Sequence, residues 1–346
     1  MTASGEINTG LGQFSREKFR SLVRVRHSAL LALRRFLYSQ GFVEVTTSSL
    51  VNIAGSCENP SASFRLPYYG REAHLSQSAQ LQLEALVGRL ELRVFTVNNS
   101  FREENYDDPD VAGRRLSEFT LIEPEMSYDP DLPDEVALDE LRRFVEMAVK
   151  SCVRSTIEAC EPDIQLLGGD LPYLRSTVER PFESISYGDA LRLINREEPS
   201  GRQLTSGDDL GIREEKVILR YFAGRPTFIL HFPSHLKFFN IKRNDIDGLT
   251  YSLDLLTPKL GETVGGAIRE TSGERTAEQL VGSRIGEFLA AQGIDPLTQF
   301  GEYMNLFQDG ALQARMGFGV GFERLVGFLL ASNDILHTIS YRTLMP

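Results

Sequence analysis

The chain has 346 residues, 41% hydrophobic and 25% charged, the mix of an ordinary globular protein. No apolar run approaches the roughly 18–20 residues of a membrane span, and Met1 to Gln13 shows no basic start or apolar stretch of a signal peptide. The net charge of −11 argues against a broad nucleic-acid surface, because phosphate binding needs clustered Lys and Arg. Cys57, Cys152 and Cys160 are too few and too badly spaced for a disulfide framework or a zinc site, so a reduced cytoplasm is expected.

Residues 1–14 read as a loose tail. From Phe14 to Gln40 the apolar residues Leu22, Val25, Leu30, Leu33, Phe36 and Leu37 recur at helical spacing, with arginines between them. Gly41 suits the helix end, and Phe42 to Val45 begins a strand. Residues 50–75 are loop-rich with a hairpin turn at Tyr68–Arg71, and Gln80 to Leu90 reads as a helix. Val94–Phe101 and Phe119–Tyr128 read as strands of one long hairpin, followed by a long helix from Asp134 to Ala159. Residues 161–215 read as irregular, with a short helix near Gly188–Asn195. Strands are expected at Pro226–Phe232, Phe238–Arg243 and Leu249–Leu256, and a helix at Thr276–Gln292. Gly317 to Ala331 starts as a strand and becomes an apolar helix. No βαβ alternation and no Pro/Gly/Ser linker is visible, so residues 15–346 read as one α+β domain with a largely antiparallel sheet.

Three segments carry chemistry. Phe101-Arg102-Glu103-Glu104 precedes an acidic loop and then Arg114-Arg115-Leu-Ser-Glu-Phe119. Guanidinium groups can fork onto a phosphate while a ring stacks on a base; a solvated charged hairpin accounts for the same spacing. Asp254 and Glu262, eight residues apart on strands joined by a turn, could hold Mg²⁺ with substrate phosphates. An ordinary ion pair at a tight turn explains that pattern equally well. Gly317-Phe-Gly-Val-Gly321-Phe-Glu323-Arg324-Leu325 has neither the glycine spacing nor the βαβ setting of a dinucleotide fingerprint. Alone it says little.

In this order the three segments, with Gly261-Glu262-Thr-Val-Gly265-Gly266-Ala-Ile-Arg269-Glu270, resemble the class II aminoacyl-tRNA synthetase catalytic domain. The detail resembles the asparaginyl/aspartyl subgroup, from about Phe14 to the C-terminus. That resemblance implies an antiparallel sheet flanked by helices, a homodimer, and ATP and Mg²⁺ as cofactors. It implies that Arg102 grips the α-phosphate and the substrate carboxylate, Glu104 meets the adenine amino group, and Phe119 stacks on the ring. Arg115 and Arg324 would hold the γ-phosphate end, and Glu262 with Asp254 the Mg²⁺. Arg102, Glu262 and Arg324 would thus form the catalytic set, stabilising charge without a proton shuttle.

The implied amino-acid pocket comprises Ser78 and Gln80, Glu58 from a mobile loop, Arg269 towards the substrate side chain, and Glu123 as acceptor for a carboxamide. An exposed loop charge is the alternative reading of Glu58. Aspartyl members usually carry Lys where this chain has Leu83; Leu83 and the Glu123-Pro-Glu125 run point to an asparagine-like side chain.

Four departures bear on the acceptor. The family's anticodon-binding module would need about 100 residues, and only the tail precedes the first core helix. The loop 105–113 is acidic, with Asp107, Asp108 and Asp110, where the family faces tRNA. Ser48 stands where the dimer motif normally has Pro. Arg315-Met316 replaces the usual His-Gly or His-Ser, and Ser340-Tyr-Arg342 departs from Pro-Phe-Pro-Arg. The expectation is therefore an adenylate-forming ligase that passes asparagine, aspartate or an analogue to a small nucleophile such as ammonia or an amine. The alternative is a minimal asparaginyl-tRNA synthetase. A third reading, a non-catalytic regulatory paralogue, has little need for Arg102, Glu262 and Arg324 together.

Overall fold

The computed structural model describes residues 14–53, 59–105, 107, 111, 113–308 and 312–340. Helix α1 (Arg16–Ser39) starts at Ser15, whose side chain caps it by accepting from the Lys18 amide. Its buried face includes Leu22, Val25, Leu33 and Leu37 of the predicted stripe together with Ala29 and Ala32, while Leu30 and Phe36 pack partly buried against the same core. That stripe packs against α3 (Asp134–Leu166), which follows α2 (Gln80–Leu90) in the chain. Apolar residues of both α1 and α3 share one core with the inner face of the sheet.

The strands are β1 (Val43–Glu44), β2 (Leu50–Val51), β3 (Arg65–Tyr68), β4 (Arg71–Leu75), β5 (Val94–Phe101), β6 (Glu118–Ser127), β7 (Glu183–Ser186), β8 (Thr227–Leu230), β9 (Ser252–Thr257), β10 (Gly261–Ile268) and β11 (Arg315–Gly321). The described residues form an eight-stranded sheet in the order β1-β5-β6-β11-β10-β9-β8-β7. Its pairs are antiparallel except at the two ends, where β1 joins β5 and β7 joins β8 in parallel. The expected α+β sheet flanked by helices is present. A small sheet, β2-β4-β3, carries the Tyr68–Arg71 turn, where Tyr69 and Gly70 have positive φ as a tight hairpin demands.

Three local expectations need correction. Residues 161–215 are not mainly irregular. They hold the end of α3, then α4 (Leu171–Glu179), β7, α5 (Tyr187–Glu197) and the start of α6 (Ile212–Tyr221). Helix α5 is the short one expected near Gly188–Asn195; prolines and glycines masked the others. Local caps set the starts: Asp170 accepts from the Tyr173 amide and Ser186 from the Asp189 amide. Helices α5 and α6 then bury Leu191, Ile194, Val217 and Ile218 in a satellite core. Residues 238–243 form isolated bridges, Ile241 to Arg269 and Arg243 to Thr250, rather than a strand. The helix expected over 276–292 is two, α7 (Gly273–Val281) and α8 (Arg284–Ala291), because Ser283 caps a new start on the Gly286 amide at 3.1 Å. Short turns α9 (Pro296–Gln299) and α10 (Gly301–Met304) precede β11, which runs directly into α11 (Phe322–Leu329).

Candidate functional site

A cavity of about 650 Å³ lies over β6, β9, β10 and β11. Arg102, Glu104, Arg114, Arg115 and Leu116 line one side of it, and the first turns of α2 and α11 reach it. It gathers Arg102, Glu104, Arg115 and Phe119 from the long hairpin. Asp254, Glu262, Arg269 and Arg324 line it from the central strands and α11, and Ser78, Gln80 and Glu123 from the start of α2 and from β6. Glu58 lies outside the described residues, as do Asp108 and Asp110.

One end of the cavity holds four arginines. The Arg102 guanidinium stands 5.9 Å from the Phe119 ring centre. Arg115 donates to Glu104 at 3.3 Å and remains half-exposed. Arg324 donates to the Glu262 carbonyl and lies 3.7 Å from its carboxylate. Arg114 received no role from the sequence, yet it too lines the cavity, donating to Glu215 and to the Leu260 carbonyl at 3.3 Å each. Burial raises the Glu215 carboxyl to about 7; Arg324 and Arg114 oppose the rise and Glu262 adds to it.

Asp254 and Glu262 face one another across Gly265. A Cβ at Gly265 would lie 3.2 Å from Glu262 Oε1 and 3.5 Å from Asp254 Oδ1, so glycine keeps the gap between the carboxylates clear. Among the described residues no group of three His, Cys, Asp or Glu side chains is placed to hold a metal. Two carboxylates fit Mg²⁺ when phosphates and water complete its octahedron. Lys237 changes the division of labour: its Nζ is 2.7 Å from both Asp254 oxygens and 3.9 Å from the Phe232 ring centre. Burial raises Asp254 to about 6 despite that ammonium. Asp254 is thus already answered by a fixed ammonium, while among the described residues the Glu262 carboxylate has only Arg324 at 3.7 Å. A lone Lys after a Pro-containing turn gave the sequence no sign of this.

At the other end of the cavity, Glu123 and Glu125 take different partners. Strand alternation puts both on one face, and both line the cavity. Helix α2 begins at Ala79, which offers no side-chain cap. Glu123 supplies the missing acceptor from β6, taking the Ala79 amide at 3.0 Å and the Ser78 hydroxyl. Ser78 in turn accepts from the Gln80 amide at 3.1 Å. Glu125 instead meets Arg269 as a fork, at 3.0 Å to Nε and 2.9 Å to Nη2, with both side chains buried. Burial works against the Arg269 charge, but Glu125 overrides it and holds the guanidinium pKa above its ordinary value. A forked acid–base pair offers one acceptor and one donor side by side. Glu125, rather than Glu123, is therefore the acceptor placed beside Arg269.

The glycine-rich strand β11 makes that pair fit. Gly317 is directly opposite Glu125 in the β6–β11 register, and a Cβ there would overlap the Glu125 carboxylate. Glu323, at the start of α11, accepts from the Thr120 amide at 2.9 Å and from Arg26 at 3.0 Å, locking α11 to β6 and α1.

Comparison with known proteins gives one consistent result. The family model "tRNA synthetases class II (D, K and N)" matches residues 7–344. The asparagine–tRNA ligase of Pyrococcus abyssi is 33% identical over 331 residues, covering 95% of this chain and 68% of the relative. That of Xylella fastidiosa is 29% identical over 351 residues, covering 93% of this chain and 70% of the relative. The crystal structure of asparaginyl-tRNA synthetase from Pyrococcus horikoshii complexed with asparaginyl-adenylate superposes with a TM-score of 0.79 at 30% identity, covering 94% of this chain and 68% of that one.

Proposed function

The chain belongs to the class II tRNA synthetases of the D, K and N type, ATP-dependent ligases that use ATP and Mg²⁺, and on that premise we propose that it activates asparagine as asparaginyl-adenylate and charges it onto tRNA. The observation that carries the substrate is the buried Glu125–Arg269 fork at the cavity floor. Glu125 accepts from the carboxamide NH₂ and Arg269 donates to its carbonyl. A substrate carboxylate would set its charge against Glu125.

The remaining residues take the following roles. Arg102 holds the α-phosphate and the amino-acid carboxylate, while Phe119 and Glu104 take the adenine ring and its amino group. Arg324 and Arg115 hold the γ-phosphate end, and Ser78 and Gln80 line the amino-acid end, with Glu58 expected over the α-amino group. Glu262, assisted by Asp254, holds Mg²⁺, which supplies charge neutralisation when bound. The carboxylate oxygen attacks the α-phosphorus and pyrophosphate leaves. Charge builds on phosphate oxygens surrounded by fixed guanidinium groups, so stabilisation needs no proton transfer.

Residues 15–346 act as one catalytic unit in this reading, supported by a single sheet running from Val43 to Gly321. A homodimer is proposed as well, supported by Val43, Leu50, Leu66 and Tyr68, exposed apolar residues on the edge strands β1 to β3. Light scattering after size exclusion tests it.

The relatives favour a tRNA acceptor over the small nucleophile expected from the sequence. One observation favours the latter: Asp107 is exposed in the acidic connection, where it would repel a phosphate backbone. The experiment is ATP–pyrophosphate exchange with asparagine, aspartate and glutamine, then transfer of labelled asparagine to total tRNA. Exchange with asparagine and label on tRNA are expected. Exchange without charging, with label appearing on ammonia or an amine, would replace the acceptor. Exchange with no amino acid at all would remove the ligase reading of the site.

A further inference from the structure

Arg315 is the departure from the family pattern that the site has not yet absorbed. It is fully buried beneath the cavity floor. Its Nε and Nη2 reach Glu84 Oε2 at 2.9 and 2.7 Å, and Nη2 also donates to the Tyr303 hydroxyl at 3.2 Å. Nη1 donates to the carbonyls of Glu270 and Gln313 at 3.1 and 3.4 Å. Tyr303 adds its own hydroxyl to Glu84 Oε2 at 2.9 Å. The lower oxygen of Glu84 is thus saturated from below.

The upper oxygen of Glu84 faces the substrate-reading residues. Oε1 accepts from Asn240 Nδ2 and, at 3.3 Å, from Gln80 Nε2. It also lies 3.7 Å from Arg269 Nε. Arg269 therefore has two buried carboxylates in reach, Glu125 in a close fork and Glu84 slightly farther off. Without a partner below, the Glu84 charge would compete for that guanidinium, since an unpaired buried carboxylate is costly. With Arg315 present, the four groups Glu84, Glu125, Arg269 and Arg315 sum to zero charge.

We propose that Arg315 is a specificity-determining positioning residue: by neutralising Glu84 from beneath, it keeps Arg269 forked to Glu125 and the floor tuned to a neutral carboxamide rather than a carboxylate. The proposal rests on the asparagine reading above. Arg315 acts through Glu84 and touches no reacting atom.

The test is a mutant cycle of Glu84→Gln, Arg315→Met and the double variant, each measured by pyrophosphate exchange with asparagine and with aspartate, by ATP KM and by melting temperature. Glu84→Gln leaves the floor one charge more positive, and the asparagine-over-aspartate preference falls about tenfold. Arg315→Met frees Glu84 to draw Arg269 away, and asparagine KM rises about tenfold. The double variant restores neutrality, and the preference returns to within about threefold of the original. ATP KM stays within about twofold throughout, because no member touches the nucleotide end. If Arg315→Met fails to fold, the other two variants decide the matter, since neither leaves a buried carboxylate unpaired. Lower melting temperatures with an unchanged preference would make Arg315 a packing residue only and overturn the proposal. Absence of asparagine exchange in the unmodified protein overturns the substrate reading and this proposal with it; exchange there with an unmoved preference in the variants overturns this proposal alone.

Discussion

Replacing Gly317 by Ala puts one methyl group against the Glu125 carboxylate. Strand β11 cannot retreat, because it is paired with β10 on one side and β6 on the other. The carboxylate must move instead, and its fork to Arg269 at 2.9 and 3.0 Å leaves hydrogen-bonding range. Each bond to a charged group is worth about 1.5–3 kcal/mol, and displacing one member of a buried pair costs about 3–5 kcal/mol. The expected loss for Gly317→Ala is about 3–4 kcal/mol, read as a shift of the denaturant midpoint. A residual misplacement of Arg269 worth about 1.4 kcal/mol would raise asparagine KM tenfold while leaving ATP KM unchanged. Gly319→Ala is the matched control on the same strand face. Its Cβ would meet only Glu123 Cγ at 3.8 Å, an ordinary contact, so a change within about 1 kcal/mol is expected. If the two variants unfold at the same denaturant concentration and bind asparagine alike, the placement of Glu125 against Gly317 is refuted.

Glu215 is expected to give stability a specific pH slope. Its carboxyl sits at about 7 in the folded chain and near 4.3 when unfolded, so the folded state holds the extra proton between these values. Its contribution to stability is fully present below about 4.3 and is lost as pH rises to about 7, by roughly 4 kcal/mol at most; Glu215→Gln should lose that slope in denaturant titrations at pH 5 and 8, and parallel curves would contradict it. Lys237→Met strands Asp254 as a buried anion and should cost about 3 kcal/mol in thermal or denaturant unfolding; an unchanged midpoint means that Asp254 does not depend on its ammonium. Phe119→Ala should raise ATP KM about tenfold, since ring stacking on a base is worth about 1–3 kcal/mol, with asparagine KM unmoved in the same exchange assay.

The elements framing the site were legible because their patterns are local. The apolar stripe of α1, the β-branched and aromatic residues of β5 and β6, and the run from β11 into α11 appear in the residues themselves. Of the short helices between residues 161 and 215 only the one near Gly188–Asn195 was legible; α4 and the start of α6 were not, because each is brief and draws its stability from packing on a neighbour. At the site, Arg102, Phe119, Glu262, Arg269 and Arg324 could be named because the three segments, taken together in this order, resemble the class II synthetase catalytic domain. That resemblance puts the carboxamide acceptor at Glu123; alternation places Glu125 on the same face, and only the fold pairs Glu123 with the start of α2 and Glu125 with Arg269.

The sequence by itself determined the chemistry: arginines and carboxylates in an order that suits a nucleotide and an activated carboxylate, on a mainly antiparallel sheet. Tertiary structure decided which charge answers which. Glu123 went to the bare start of α2, Glu125 to Arg269, Asp254 to Lys237, and Glu84 to Arg315. Those partners lie 17 to 231 residues apart in the chain. A buried charge is governed by whichever opposite charge the fold brings within about 3 Å, and one-dimensional spacing carries no record of that distance.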